Sequence, residues 1–583
     1  MPIREGKFVR ATRLEDLRSA GHMTVQLNGH AMVLFSDGEQ VYALDNRCPH
    51  MGFPLDRGTV KDGILTCHWH HARFDMESGG TFDQWADDVR CFPVEIRDGE
   101  VWVDVSQKED LRQHHLERLQ VGLERDLSLV IGKAVLVLAG EGGDSVGPFR
   151  AGLDFGTRFR QNGWGQGLTI HTCMVNILPT LQKADHPRAL YHGLSAVSRE
   201  SSGSPPRFMI KPLPGRAAEF PTLKRWFRRF VEVRDAEGAE RCLVSAIRAG
   251  ADDRQMADML FSAATDHRYI DIGHVADFTN KAFEALEAAG WEFAEAVLTS
   301  LVRGYANADR MEESNAWRNP VDLVEILENV FDQIPQALEN GRAARINGPR
   351  WNDREELVQV LLGEDPAAIA DGLVEALRAG ASEVELASAV SYAAALRIAR
   401  FHTSNEFSDW DTALHTFTFA NAIEQGMRRA PSVELLRGVF DAAMGIYLDR
   451  FLNIPAAPLA KKPDRQVEDP GGLLDELGDL LNRQHQVNHA GELVAGYLYS
   501  QGDADRLLAA LGKLLLREDR DFHTIQTIEA AFRQFRLQPD AEAKVNILAG
   551  AARYLAAHSP TMRSQGQTYE IAYRLNRGDR IYE

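Results

Sequence analysis

Cys48 and His50 stand two residues apart in "NRCPHMGFPLDRG", and Cys67 and His70 stand three apart in "LTCHWHHARFD". Two thiolates and two imidazoles at these spacings form a metal-ligand set. Each short Cys-to-His step keeps its pair on one loop, so two loops closing on each other bring four donors to one point. Two chemistries accept that set. Zinc takes Cys2His2 in tetrahedral sites. An iron–sulfur cluster takes two thiolates on one iron and two imidazoles on the other, and the neutral imidazoles make it easier to reduce than an all-thiolate cluster. The other three cysteines, Cys91, Cys173 and Cys242, complete an odd and sparse set, which is not a disulfide framework. They are expected to be small buried apolar residues.

A second group of histidines lies far downstream. His192 sits inside the apolar stretch "ALYHGLSAV", and His523 follows the acidic run "REDRD". His485 and His489 are four apart with Glu492 one turn on, so a helix places all three on one face. A lone helical histidine is usually hydrogen-bonded or at the surface. His274 and His415 carry more weight because they belong to a repeat. "LVSAIRAGA" (243–251) returns as "LVEALRAGA" (373–381), and then His274, Phe278 and Asn280 match His415, Phe419 and Asn421. Two similar helical halves that each offer a histidine suggest a pseudo-symmetric bundle with a shared centre.

The elements that position these residues fall into two textures. Residues 1–106 alternate with a period of two and are punctuated by Asn28-Gly29, Asp37-Gly38 and Asp98-Gly99, which predicts a small antiparallel β domain. Residues 107–165 read as a linker with a connecting helix. Residues 166–583 carry a 3.6-residue period throughout, and a Pro-rich break at 453–472 marks a crossover or sub-boundary. The fold class is therefore α+β multidomain: a small β domain followed by a large all-α region with an internal repeat. A chain of 583 residues exceeds what one core supports. A formal charge of −19 argues against nucleic acid or an anionic membrane surface as partner. The most apolar stretch, Leu127–Gly140, is short of a bilayer span and is interrupted by Lys133. With no apolar signal core at the N-terminus, the cytoplasm is the expected compartment.

The flanks of the opening motif, "GFPLDRG" and "ARFDMESGGTF", resemble the Rieske [2Fe–2S] family. That resemblance makes Cys48, His50, Cys67 and His70 the cluster ligands. High-potential members resemble one another in two further cysteines and a hydroxyl side chain near a cluster sulfur; here Phe53, His68 and Ala72 stand at those places. Fewer hydrogen bonds to sulfur imply a potential near the low end of the Rieske range, as in ferredoxin or oxygenase types. His68 and His71 are expected to be solvated neighbours. From about 165 onward the order of "HPRALYHGLSAVSRESSG", "DIGHVADFTNKAFEALEAAG", "TALHTFTFANAIEQ" and "DRDFHTIQTIEAAFRQF" resembles the questin-oxidase-like family. That resemblance implies an all-helical fold with a mononuclear iron bound by His192, His274, His415 and His523. It departs at Gln526, where relatives carry Lys, and those relatives lack a Rieske domain. His402, His489 and Glu492 are the second-tier candidates for a further ligand.

The reading that follows is an iron-dependent oxidoreductase. The [2Fe–2S] cluster takes single electrons from an external ferredoxin or flavin reductase and passes them to the helical iron, which oxidises a small organic substrate with O2. No GxGxxG fingerprint stands in a strand–turn–helix context, so NAD(P)H and FAD are not expected on this chain. No catalytic residue is assigned beyond the metal ligands, and a homo-oligomer is compatible with the reading. Two alternatives stay open: an electron-transfer protein whose helical part is a docking scaffold, and a metal enzyme of another class in which the cluster senses redox state.

Overall fold

The structure, a computed structural model, describes residues 7–106, 111–140, 143–215, 218–463 and 467–582. The start of the expected linker (107–110), part of the glycine-rich joint after it (141–142) and the middle of the Pro-rich break (464–466) lie outside the described residues. The chain divides into two compact units, Met1–Ala151 with Ser564–Glu583, and Gly152–Arg563.

Among its described residues the first unit is built on ten short strands, all paired antiparallel: β1 (Phe8–Arg13), β2 (His22–Leu27), β3 (His30–Asp37), β4 (Gln40–Asp45), β5 (Thr59–Lys61), β6 (Ile64–Thr66), β7 (Arg73–Asp75), β8 (Cys91–Phe92), β9 (Val94–Arg97) and β10 (Glu100–Asp104). They form three sheets ordered β1-β10-β9, β2-β3-β4-β8 and β5-β6-β7. Asn28-Gly29 and Asp98-Gly99 turn their hairpins with both residues at positive φ, the twist that two-residue turns need. Asp62-Gly63 does the same between β5 and β6, a turn the sequence reading passed over. At the β3–β4 hairpin the register pairs Asp37 with Gln40, so the turn residues are Gly38-Glu39, one place later than expected. Two apolar cores result. One is centred on Met32, Leu34, Val101 and Val103; the other, on Val33, Leu44, Leu65 and Phe74, extends to Cys48 and Cys67.

The helices Leu111–Arg125 and Ser128–Ala139 follow the strands within this unit. The last helix, Ser564–Asn576, packs against Ser128–Ala139. It therefore sits with the β structure, not with the 166–583 helical region to which its sequence position assigns it.

The second unit is all helix among its described residues. Its repeat is visible in the backbone. The helices Ala236–Arg248 and Pro366–Arg378 both end on a glycine at positive φ, Gly250 and Gly380. Next, Ala251 N–H donates to Ala246 O (3.0 Å) and Ala381 N–H to Ala376 O (2.9 Å), the same closing bond in each copy. A capping box then opens the next helix in each half, Asp252 with Gln255 and Ser382 with Glu385. The second of these helices is longer, Glu383–Ala399 against Asp253–Ala264, which absorbs part of the register shift between the copies. The His274–Ala289 and Phe407–Arg429 helices follow at matching places. No helix among the described residues is long and apolar enough to cross a membrane.

Candidate metal centres

The two ligand loops of the first unit share one backbone design. In the first loop, Cys48 N–H donates to Phe53 O (2.8 Å) and Gly52 N–H returns to Cys48 O (2.7 Å). In the second, Cys67 N–H donates to Ala72 O (2.9 Å) and His71 N–H returns to Cys67 O (3.0 Å). The residue four after each cysteine is left-handed, Gly52 at φ 81° and His71 at φ 63°. Equivalent loops therefore present a histidine at the second place in one and the third in the other. Gly79, at φ 78°, lets Val89 pass close: a β-carbon there would stand 1.9 Å from the Val89 carbonyl oxygen. This accounts for the "GG" downstream of the second loop.

The four donors meet. Cys48 and Cys67 are buried, and the His50 and His70 rings stand 4.8 Å apart, edge to face. The thiols are hydrogen-bonded to each other. That bond, aided by the backbone N–H groups of Trp69 and His70, brings Cys67 down to about 6, while Cys48 is raised as the proton-holding partner and by its burial. Cys67 is thus ready as a thiolate, and Cys48 gives up its proton when metal binds. Burial, then the nearby Lys133 charge, pushes His50 down to about 4, and burial lowers His70 as well. Both imidazoles are neutral at pH 7, the form that ligates metal. Nδ1 of His50 is buried without a hydrogen-bond partner, the mark of a ligand atom. His68 and His71 are exposed, as expected, and His68 bonds to Thr59 Oγ1. Cys91, expected to be buried, is half-buried on β8 and reaches the Met76 carbonyl.

Residues 7–93 match the Rieske [2Fe-2S] domain. These residues are a Rieske domain, and a large helical region follows it. The chain is 27% identical over 160 residues to human apoptosis-inducing factor 3, covering 27% of this chain and 25% of that one. It is 35% identical over 82 residues to the vanillate O-demethylase oxygenase subunit of a Pseudomonas strain (13% of this chain, 25% of the relative). It is 26% identical over 101 residues to the ferredoxin component of the Pseudomonas putida naphthalene 1,2-dioxygenase system (17% of this chain, 97% of the relative). The chain spans about a quarter of the length of the first two.

Beyond the Rieske domain, the helical unit carries a second cluster of donors. His274, His415 and His523 lie on the His274–Ala289, Phe407–Arg429 and Phe522–Leu537 helices, with one ligand atom from each within 4.8 Å of the others. Nε2 of His274 and Nε2 of His415 are 3.2 Å apart. Two imidazole nitrogens bound about 2.1 Å from one ion stand roughly 3.0–3.4 Å apart, so the spacing fits a shared metal. The second nitrogens decide the tautomers. His415 Nδ1 donates to the Asp411 carbonyl at 2.6 Å, which leaves a lone pair on Nε2. His274 Nδ1 lies 3.8 Å from the Asp277 carboxylate, beyond hydrogen-bond reach, so its tautomer is not fixed by that group. At 3.2 Å the two nitrogens are close enough either to share a hydrogen bond or to bind one metal ion. His523 Nε2 is also buried with no partner. Burial, then the neighbouring His274 and His523, pushes His415 down to about 3, and burial lowers His523, so these two are neutral at pH 7.

Further buried polar atoms on the same helices have no partner in the protein: Asp277 Oδ2, and both amide atoms of Gln526, one turn after His523 and 1% exposed. Sequence reading missed Asp277 as a neighbour of the site. Its signal was the acidic residue three places after His274, which a helix puts on the same face. The backbone entering the His274 helix is strained. Tyr269, Asp271 and Ile272 all take positive φ (43°, 51° and 48°), and for a β-branched residue this is a true outlier. Such strain costs on the order of 1–3 kcal/mol per residue and gathers at functional sites.

His192 is a correction. It does not join the other three: its Nε2 bonds to the Leu516 carbonyl (3.1 Å), near the end of the Ala504–Arg517 helix, where carbonyls lack helical partners. Burial brings it to about 4, so it serves as a neutral core donor. His402 lies outside the cluster, bonded to Ser404 Oγ (2.7 Å). His489, paired with Glu476 at 3.3 Å, and Glu492 also lie outside it. Both instead line a cleft of about 660 Å³ with Trp410, His485 and His558. A second cleft of about 390 Å³ shares His485 and His558 and is bounded by Asp521 and Thr524. Trp410 lies five residues before His415, and Asp521 and Thr524 flank His523, so the clefts open beside the helix ends that carry the triad.

Proposed function

We propose that the protein is a two-centre oxidoreductase. The Rieske cluster, on Cys48, His50, Cys67 and His70, receives single electrons from an external ferredoxin or flavin reductase. The triad His274, His415 and His523 holds a mononuclear iron in the helical unit, and the substrate is a small organic molecule oxidised with O2. The convergence of nitrogens from His274, His415 and His523 within 4.8 Å, the first two 3.2 Å apart, carries this reading. The order of motifs that resembles the questin-oxidase-like family supports it, as does the appearance of a Rieske domain in an oxygenase subunit among the relatives.

An iron bound at the triad would supply O2 chemistry fed one electron at a time. The chain's own residues do the rest. The Asp411 carbonyl holds the His415 proton away from the centre, and the buried Asp277 carboxylate, 3.8 Å from His274 Nδ1, places a negative charge beside it. Gln526, with an amide oxygen and an amide NH2 both unused, hydrogen-bonds a substrate oxygen or a water beside the triad. Trp410, His485 and His558 line the approach, an apolar face with two polar edges.

Anaerobically purified protein tests the reading by metal and sulfide analysis with EPR before and after dithionite. Iron in excess of sulfide, lost in the His274→Ala and His415→Ala variants while the cluster signal persists, is the expected result. Iron equal to sulfide, with no second metal, would sink the oxidase and leave an electron carrier. Zinc at the triad would make the helical unit a metal enzyme of a different class.

A further inference from the structure

Lys133 breaks the apolar run of its helix. It lies on Ser128–Ala139, beyond the residues that match the Rieske domain. Its ammonium donates to the carbonyl oxygens of Pro49 and His50, the latter at 2.8 Å, and stands 3.4 Å from Asp87 Oδ2. Its side chain is 12% exposed. Asp87 in turn accepts from Arg118 Nε at 2.8 Å, and Arg118 also donates to the carbonyls of Gln84 (3.1 Å) and Ala86 (2.7 Å). Trp85, between those two, meets the His50 ring edge-on with centroids 4.6 Å apart. Two helices thus reach back to the first ligand loop with two cations and one carboxylate, a net positive charge set against the backbone of a cluster ligand.

We propose that Lys133 is a positioning residue that tunes the Rieske centre: its charge, fixed on the Pro49 and His50 carbonyls, favours the reduced cluster and raises its reduction potential. Reduction adds one electron, taken from an external donor, and hence one negative charge. A buried cation nearby stabilises that charge with little screening by salt. Partners outside the ligand set are a recognised way for a protein to set a cluster's potential. The Asp87 charge works the other way, and Arg118 offsets it. The inference rests on the cluster assignment of Cys48, His50, Cys67 and His70, and is independent of the helical triad.

The test is a dithionite titration of the full-length holoprotein followed by EPR, for wild type, Lys133→Met, Lys133→Arg and Asp87→Asn. At the wild-type midpoint, Lys133→Met is expected to lower the reduced-to-oxidised ratio about tenfold, which is ~59 mV for a one-electron couple. Lys133→Arg should recover most of that shift, and Asp87→Asn should move the potential upward. A loaded Lys133→Met protein with the wild-type potential would overturn the proposal, and so would Lys133→Arg shifting as far as Lys133→Met, because shape rather than charge would then be the cause. If Lys133→Met fails to take up a cluster, Asp87→Asn decides: an upward shift supports the proposal and no shift overturns it. A wild-type protein without a Rieske EPR signal would instead remove the cluster assignment itself.

Discussion

Lys281 offers the sharpest test of how the triad is held. It is fully buried on the His274 helix and bonds Glu284 Oε2 at 2.8 Å and Glu529 on the His523 helix. Arg533 closes the square, 3.1 Å from each carboxylate, and Asn176 donates to both. Two cations and two anions therefore tie together two of the three triad helices. Burial works against ionisation of Glu284, but Lys281 and then Arg533 overcome it and bring the carboxyl down to about 2 from an ordinary 4.5. That fall corresponds to roughly 3 kcal/mol of stability. The sign follows from the depressed value. The contribution is present above pH 4.5 and is lost as pH falls from 4.5 towards 2. Lys281 itself is raised: burial alone would lower it, and the two carboxylates more than compensate, so its share persists through neutral pH and fades only above its ordinary 10.5. Lys281→Met leaves a buried uncompensated anion and should cost about 3–5 kcal/mol in urea unfolding at pH 7. Lys281→Met combined with Glu529→Gln restores charge balance and should recover much of that loss, giving a coupling of a few kcal/mol in a double-mutant cycle. A Lys281→Met protein within about 1 kcal/mol of wild type, or a double variant as unstable as the sum of the two singles, would refute the idea that this square is a coupled unit.

Other predictions follow from the two centres. Asp277→Asn should weaken metal binding at the triad by about 10- to 100-fold, measured by chelator competition, because the buried negative charge beside His274 is lost. Gln526→Leu should leave metal content unchanged and alter substrate turnover, since the amide touches no protein group that leucine would deprive. Gly52→Ala should destabilise the first ligand loop by about 1 kcal/mol or more, seen as faster cluster loss on heating, because φ is 81° and the new methyl would meet Arg47 and Leu575 at 3.2 and 3.3 Å. His71→Gly, at the equivalent place in the second loop, should be neutral or stabilising in the same assay.

The Rieske loops were legible because their information is local. Cysteine, histidine and glycine within a few residues specify both the donors and the left-handed turn that aims them. The helical triad was legible only in part. The repeat singled out His274, which opens its helix, and His415, which lies inside its own, and an acidic run before a helix pointed to His523. His192 failed because an apolar helical context says that a histidine is buried, not which way it faces. Its ring satisfies a carbonyl on a helix more than 300 residues away, and sequence carries no sign of that meeting. Lys133 was visible as an oddity in an apolar stretch, but its partners on the ligand loop emerge only once the chain folds back.

The two centres solve one problem in different ways. A metal ligand must be neutral or anionic and correctly protonated before the metal arrives, and burial alone secures only neutrality. In the Rieske loops the thiol pair shares a proton under backbone N–H groups, so one cysteine is ready as a thiolate. In the triad, the Asp411 carbonyl accepts a hydrogen bond from His415 Nδ1, and the Asp277 carboxylate stands 3.8 Å from His274 Nδ1. Both are supplied from within one helical turn of the histidine they serve, four residues before His415 and three after His274. The third histidine comes from outside the repeat, so the three come together only when the Phe522–Leu537 helix packs against the helices that carry the other two. The buried square of Lys281, Glu284, Glu529 and Arg533 joins that helix to the first half, which couples assembly of the site to folding of the helical unit.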